Sequence, residues 1–218
     1  MVELDFQEVF RSYGEIYNHI LSIIYPAKKN TGFPERNLSV NFSKAYEQVM
    51  EKKNHDVISW FEFQFGEDDR YHVDLVLLDN TTKELFIVES KRFSNPNKKM
   101  EEIGQDINRI YSFKNELQEE QKIQEEKKSQ EKQIRINMKE IKHIYGVILA
   151  DVWLETPLKR EIYGSYQNRS FVSDYINKMS NDVKKLDESY YCLDVVGKYN
   201  WIKNYKLVSF VWELTDKS

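Results

Sequence analysis

Apolar residues recur at helical spacing from the start of the chain. Phe6, Val9, Phe10, Tyr13, Ile16, Tyr17, Ile20, Leu21 and Ile24 fall on one face of a helix. Pro26 ends it, and Lys28 to Asn37, with Asn30-Thr31-Gly32 and Pro34, reads as a loop. Phe42, Ala45, Tyr46, Val49 and Met50 mark a second amphipathic helix that closes near Asn54.

The period then changes from helical to alternating. Val57 to Phe65 is rich in aromatic and β-branched residues, and Phe61, Phe63 and Phe65 alternate with Glu62 and Gln64, the pattern of a half-buried strand. Gly66-Glu67-Asp68-Asp69 is a turn, Tyr71 to Leu78 a second strand, Asp79-Asn80-Thr81-Thr82 a second turn, and Glu84 to Lys91 a third strand. Turns this short join antiparallel neighbours.

Ser94-Asn95-Pro96-Asn97 breaks the strand pattern. A helix is predicted from near Lys99, with Ile103, Ile107, Ile110, Phe113 and Leu117 on one face. From Glu119 to Lys132 the chain is almost entirely Glu, Gln, Lys and Ser, a segment expected to be a solvated helical extension or disordered. Ile144 to Ala150 is a nearly unbroken apolar run, as in a strand covered on both faces. Val172, Tyr175, Ile176, Met179, Val183 and Leu186 predict a further helix. Tyr190 to Val196 and Lys206 to Leu214 predict a closing strand pair around Gly197 and Asn200.

The bulk properties narrow the class. A chain of 218 residues, 40% hydrophobic, suits one globular domain with a full core. The formal net charge is only -4, so any nucleic-acid surface must come from basic residues gathered on one face. Cys192 is the sole cysteine, which excludes an internal disulfide and any cysteine-cluster zinc or iron–sulfur centre. The acidic start and the lack of a long apolar run predict a soluble cytoplasmic protein with no membrane partner.

The candidate chemistry lies in the predicted meander. Residues two apart on a strand share a face, so Glu89 and Lys91 point the same way at the end of the third strand. Asp74 sits inside Val73-Asp74-Leu75-Val76, where a carboxylate costs free energy unless a cation compensates it. Phosphodiester hydrolysis calls for a hard divalent cation, and Mg²⁺ needs only one or two protein carboxylates. Asp74 and Glu89 supply them, with the Ser90 carbonyl as a third ligand; a lysine beside the metal orients or activates water and stabilises negative charge.

Asp74, a hairpin and then Glu89-Ser90-Lys91 resembles the motif of the PD-(D/E)XK nuclease superfamily. Over about the middle half of the chain, the predicted order of helix, three-strand meander, helix and strand is similar to its common core. The resemblance implies an α/β fold with a restriction-endonuclease-like central mixed sheet flanked by helices. It implies Asp74 and Glu89 as Mg²⁺ ligands, with Mn²⁺ able to substitute, and Lys91 as the catalytic lysine. A first-helix glutamate often completes the site in this superfamily; Glu47 is the best match, with Glu51 one turn on. Val73 replaces the motif's proline. Gln105 corresponds to a supporting glutamine of exonuclease-like members, but the residue four later is Arg109 rather than tyrosine.

The tripeptide alone has no weight, since Glu-x-Lys also occurs at Glu51, Glu120, Glu125, Glu126 and Glu140. The apolar strand and Asp74 on its neighbour set Glu89 and Lys91 apart. His72, two before Asp74, is expected to support the site, and Arg92, Lys98 and Lys99 to position a phosphate backbone. The expectation is a single domain: residues 1–41 a helical arm, 42–155 a nuclease core with a charged extension at 116–140, and 156–218 a closing helix and strand pair. The expected activity is Mg²⁺-dependent DNA endonuclease, with a homodimer left open. The alternatives are a non-catalytic nucleic-acid-binding or regulatory module, and an interaction protein built on the charged segment.

Overall fold

The computed structural model describes residues 2–24, 34–66, 71–92, 96–127, 136–153, 190–194 and 205–214. Its elements run α1 (Val2–Ile23), α2 (Glu35–Glu51), β1 (Val57–Phe65), β2 (Tyr71–Asp79), β3 (Glu84–Arg92), α3 (Pro96–Lys127), β4 (His143–Trp153), β5 (Tyr190–Asp194) and β6 (Tyr205–Glu213). The strands form one mixed sheet in the order β1-β2-β3-β4-β6-β5. The meander β1-β2-β3 is antiparallel, β4 joins β3 in parallel after the α3 crossover, and β6 pairs antiparallel to both β4 and β5. The fold is thus α/β, a mixed sheet with helices on both faces.

Alternation along β3 builds the two layers. Phe86 and Val88 join Leu75, Leu77, Val147 and the helices α1 and α2 on one face. Leu85 and Ile87 join Val76, Ile148, Trp212 and α3 on the other. The apolar run of β4 is central and buried on both sides, as its composition predicts. Gly146 on β4 is required by the Trp212 indole, which lies where a Cβ would project. The β2–β3 turn is fastened by buried Asp79, whose Oδ1 accepts the Thr81 and Thr82 amides at 3.0 and 3.1 Å and whose Oδ2 meets His55 Nδ1 at 2.6 Å.

Four expectations change. Helix α1 is a core helix rather than an arm: Phe6, Val9, Phe10, Tyr13, Tyr17 and Leu21 are all buried, and Phe6 contacts Phe86 of the sheet at 5.5 Å between ring centroids. Helix α2 begins at Glu35, seven residues before the proposed domain boundary at Phe42, because Pro34 fits its N-terminal boundary and Leu38 and Ser39 already face the core. The charged segment is not wholly solvated, since α3 continues through Lys127 with Leu117 and Gln121 buried beneath it. Finally, Phe61, Phe63 and Phe65 do not share one layer. Phe61 joins the α1/α2 side, whereas Phe63 and Phe65 join the α3 side. Between them Glu62 takes the left-handed φ of 53°, and this residue turns the end of the strand over. The helix expected at residues 172–186 lies outside the described residues.

Candidate functional site

The antiparallel register pairs Leu75 with Val88, so the next step along the ladder sets Asp74 against Glu89 on neighbouring strands. Glu89 follows Leu85 and Ile87 on the α3 face, and Lys91 follows Glu89. The three residues of the motif are therefore brought together at the carboxyl end of β3, under the first half of α3. The main chain of Ser90 ties the strands, its N–H donating to Asp74 Oδ2 at 2.7 Å. The Ser90 hydroxyl points to the opposite face, where it shares a 2.6 Å hydrogen bond with Ser39 of α2.

Helix α3 contributes two residues that the sequence reading missed. Asp106 Oδ2 lies 3.0 Å from Lys91 Nζ, and Glu102 stands behind it at 3.8 Å. Arg109 Nη1 donates to Glu89 Oε1 at 2.9 Å and lies 3.2 Å from Asp106 Oδ1. Both were discoverable. Asp106 falls inside the stripe Ile103, Ile107, Ile110, where a charge needs a partner in the core. Arg109 occupies the position at which the exonuclease pattern places tyrosine. Gln105, expected to support the site, is exposed, one residue off the face that Asp106 and Arg109 use.

The first-helix glutamate also differs. Glu47 accepts from the hydroxyls of Ser43 and Ser59, on the α2 side of β1. It stands about 18 Å along the helix from Glu35. Glu35 is the α2 carboxylate beside the motif: its Oε1 accepts the Arg92 amide at 2.9 Å, and its charge is felt by both Lys91 and Asp106. Periodicity does not mark it, because the residues around it read as loop. Glu51, on the last turn of α2, is more distant still. His72 is exposed and pairs with Glu62 at 3.2 Å; donor atoms of Glu62, His72 and Asp74 lie within 4.8 Å of one another. Arg92 is the last residue of β3, and Lys98 and Lys99 belong to the first turn of α3, where their side chains lie outside the described residues.

The charges do not balance locally. Burial raises the Asp74 carboxyl above its usual range; the Ser90 amide opposes this, and Glu62 and Asp106 add to it. Glu89, 2% exposed, is pushed well above the usual carboxylate range, by burial first and then by Asp74; Arg109 pulls the other way. Burial raises Asp106 as well, against Lys91. Burial alone would lower Lys91, but Asp106 outweighs it, with help from Glu35 and Glu102, and the ammonium is held above its ordinary pKa. Two carboxylates facing each other across neighbouring strands, both resisting ionisation, form a donor set that a hard divalent cation complements.

A separate cleft of about 590 Å³ lies near the other end of the sheet, lined by residues including Lys114, Gln121, Lys122, Lys142 and Glu213. None of the predicted site residues lines it. Among the described residues no helix is long and apolar enough to cross a membrane. No protein-family model, no curated protein and no solved structure matches this chain.

Proposed function

We propose that the chain is a metal-dependent phosphodiesterase of the PD-(D/E)XK kind that hydrolyses DNA. The observation that carries this reading is the placement of Asp74 opposite Glu89 with Lys91 two residues on, all at the carboxyl end of a central strand. The element order α2-β1-β2-β3-α3-β4 supports it, being similar to that superfamily's core.

Asp74 and Glu89 would hold Mg²⁺ or Mn²⁺. When bound, the ion supplies Lewis-acid polarisation of the scissile phosphate and lowers the pKa of a water ligand. The Ser90 amide fixes the Asp74 carboxylate, so that its other oxygen is presented in one orientation. Asp106 pairs with the Lys91 Nζ and favours its charged form. Lys91 is thereby placed to act as a cationic donor to a phosphate oxygen or to the attacking water. Glu35, at the start of α2, is the carboxylate that stands beside the motif in place of Glu47.

A second reading is a non-catalytic module on the same fold. One observation favours it: Arg109 and Asp106 already satisfy Glu89 and Lys91, as ion pairs in a site that no longer takes metal would. The deciding experiment is cleavage of supercoiled plasmid and single-stranded DNA with Mg²⁺, Mn²⁺ or EDTA, beside Lys91→Ala. Metal-dependent cutting by the wild type, lost in the variant, is the expected result. Absence of cutting in every condition, together with no metal-induced rise in melting temperature, selects the second reading.

A further inference from the structure

We infer that Arg109 is a built-in competitor for the cation: its guanidinium holds Glu89 in the metal-free protein and must leave that carboxylate for a divalent ion to bind. The inference rests on the metal-site reading above and adds a residue to it.

The geometry is specific. Arg109 Nη1 donates to Glu89 Oε1 at 2.9 Å, while the same nitrogen lies 3.2 Å from Asp106 Oδ1. Glu89 is buried and faces Asp74, so without a cation it has a strong need for a positive partner. Arg109 meets that need from the adjacent helix. A guanidinium cannot give up its proton to make way, so the exchange has to be a movement of the side chain.

Movement is available. Arg109 keeps about a third of its side chain in solvent, whereas Glu89 and Asp106 are nearly fully buried. The two acids are enclosed, and the arginine is the partner with open space beside it. Asp106 retains it through the second contact when Glu89 is taken, so the guanidinium stays at the mouth of the site with donors free for a phosphate oxygen. Lys91 remains on the other oxygen of Asp106. Asp106 thus anchors both cations, and only one of them has to move.

The consequence is a cation affinity set below that of the bare carboxylate pair. Removing the guanidinium should strengthen metal binding even as it weakens any use of Arg109 on substrate. A purely structural arginine would do the reverse, because its loss would loosen α3 and disorder the ligands.

The test is titration of the purified protein with Mn²⁺ and with Ca²⁺ at pH 8, by calorimetry and by melting temperature, for the wild type, Arg109→Ala and Arg109→Lys. Circular dichroism checks that each variant is folded, and Arg109→Lys serves should the alanine variant fail to fold. The expected result is a dissociation constant lowered roughly tenfold to a hundredfold in Arg109→Ala, the worth of one charge-assisted hydrogen bond, with a smaller drop in Arg109→Lys. A folded variant whose affinity is unchanged or weaker overturns the inference while leaving the metal site standing. Binding by Arg109→Ala where the wild type binds nothing measurable supports it. Failure of all three proteins to bind overturns the inference and the metal-site reading together.

Discussion

Lys91 Nζ lies 3.0 Å from Asp106 Oδ2 across the gap between β3 and α3, with both side chains largely withdrawn from water. The motif lysine is therefore positioned by a residue outside the motif. Asp106→Ala would leave a buried ammonium without its main partner. Such a loss costs on the order of 3 kcal/mol for a buried pair, less here for whatever Glu102 recovers. Urea unfolding of Asp106→Ala and Asp106→Asn should show that loss, smaller in the asparagine variant, and the pKa of Lys91 should fall in both. A pKa of Lys91 unmoved by either substitution, measured by NMR of the labelled amine, would contradict this placement.

Glu89 gives a pH dependence with a definite sign. Its folded pKa is raised above the ordinary 4.5, so the folded protein holds that proton more firmly than the unfolded chain. The stability this contributes is fully present below the unfolded pKa and is lost as pH rises through the folded one. The melting temperature of the wild type in EDTA, relative to Glu89→Gln, should therefore fall from about pH 4.5 upward. Added Mn²⁺ should act in the opposite direction, stabilising the wild type more at pH 8 than at pH 5, because the ion competes with the proton. The glutamine variant should keep only the part of the pH trend that Asp74 and Asp106 carry, and should lose most of the Mn²⁺ effect.

The two glutamates of α2 can be separated by substitution. Glu35 lies beside the motif through the Arg92 amide, whereas Glu47 is bonded to Ser43 and Ser59 away from it. Glu35→Gln should reduce metal-dependent cleavage by roughly tenfold or more, in the range for loss of a positioned acid–base group. Glu47→Gln should leave cleavage within about twofold, the equivalent of a few tenths of a kcal/mol. Parallel time courses on one plasmid substrate check this, and equal loss in both variants would remove the distinction.

Gly146 tests the fold without touching the site. A methyl group there would run into the Trp212 ring on the neighbouring strand β6. Gly146→Ala should cost about 1–3 kcal/mol in denaturant unfolding, the usual range for overpacking. Metal affinity at the carboxyl end of β3 should be retained at temperatures where the variant is folded.

Much of this architecture is legible in residue order. The strand spans β1, β2 and β3 follow from the alternation between Val57 and Lys91, and Asp74 and Glu89 meet because the antiparallel register pairs Leu75 with Val88. Asp106 and Arg109 were hidden by their surroundings. In a helix dominated by Glu, Lys and Gln, one more charge is unremarked until the buried face is fixed by contact with the sheet. The start of α2 was hidden because Leu38, Val40 and Phe42 alternate at strand spacing after a proline, and only contact with the core shows Leu38 buried and Val40 exposed. The reversal at Glu62 left no local mark at all. Glutamate is not a residue that favours positive φ, and the requirement comes from Phe63 and Phe65 reaching Phe113 of α3.

That single left-handed residue divides the hairpin mechanically. Before it, β1 is carried by α2 through Phe61 and Ser59. Beyond it, the tip is carried by α3, through Phe63 and Phe65 on Phe113 and through the Gly66 amide on Glu116. Asp74 stands at the dividing line, between the Phe61–Leu75 and Phe63–Val73 pairs, while Glu89 lies on the central strand β3. A shift of α3 against the sheet would drag the hairpin tip with it and change the spacing of the two carboxylates, as the jaws of a clamp answer to one screw.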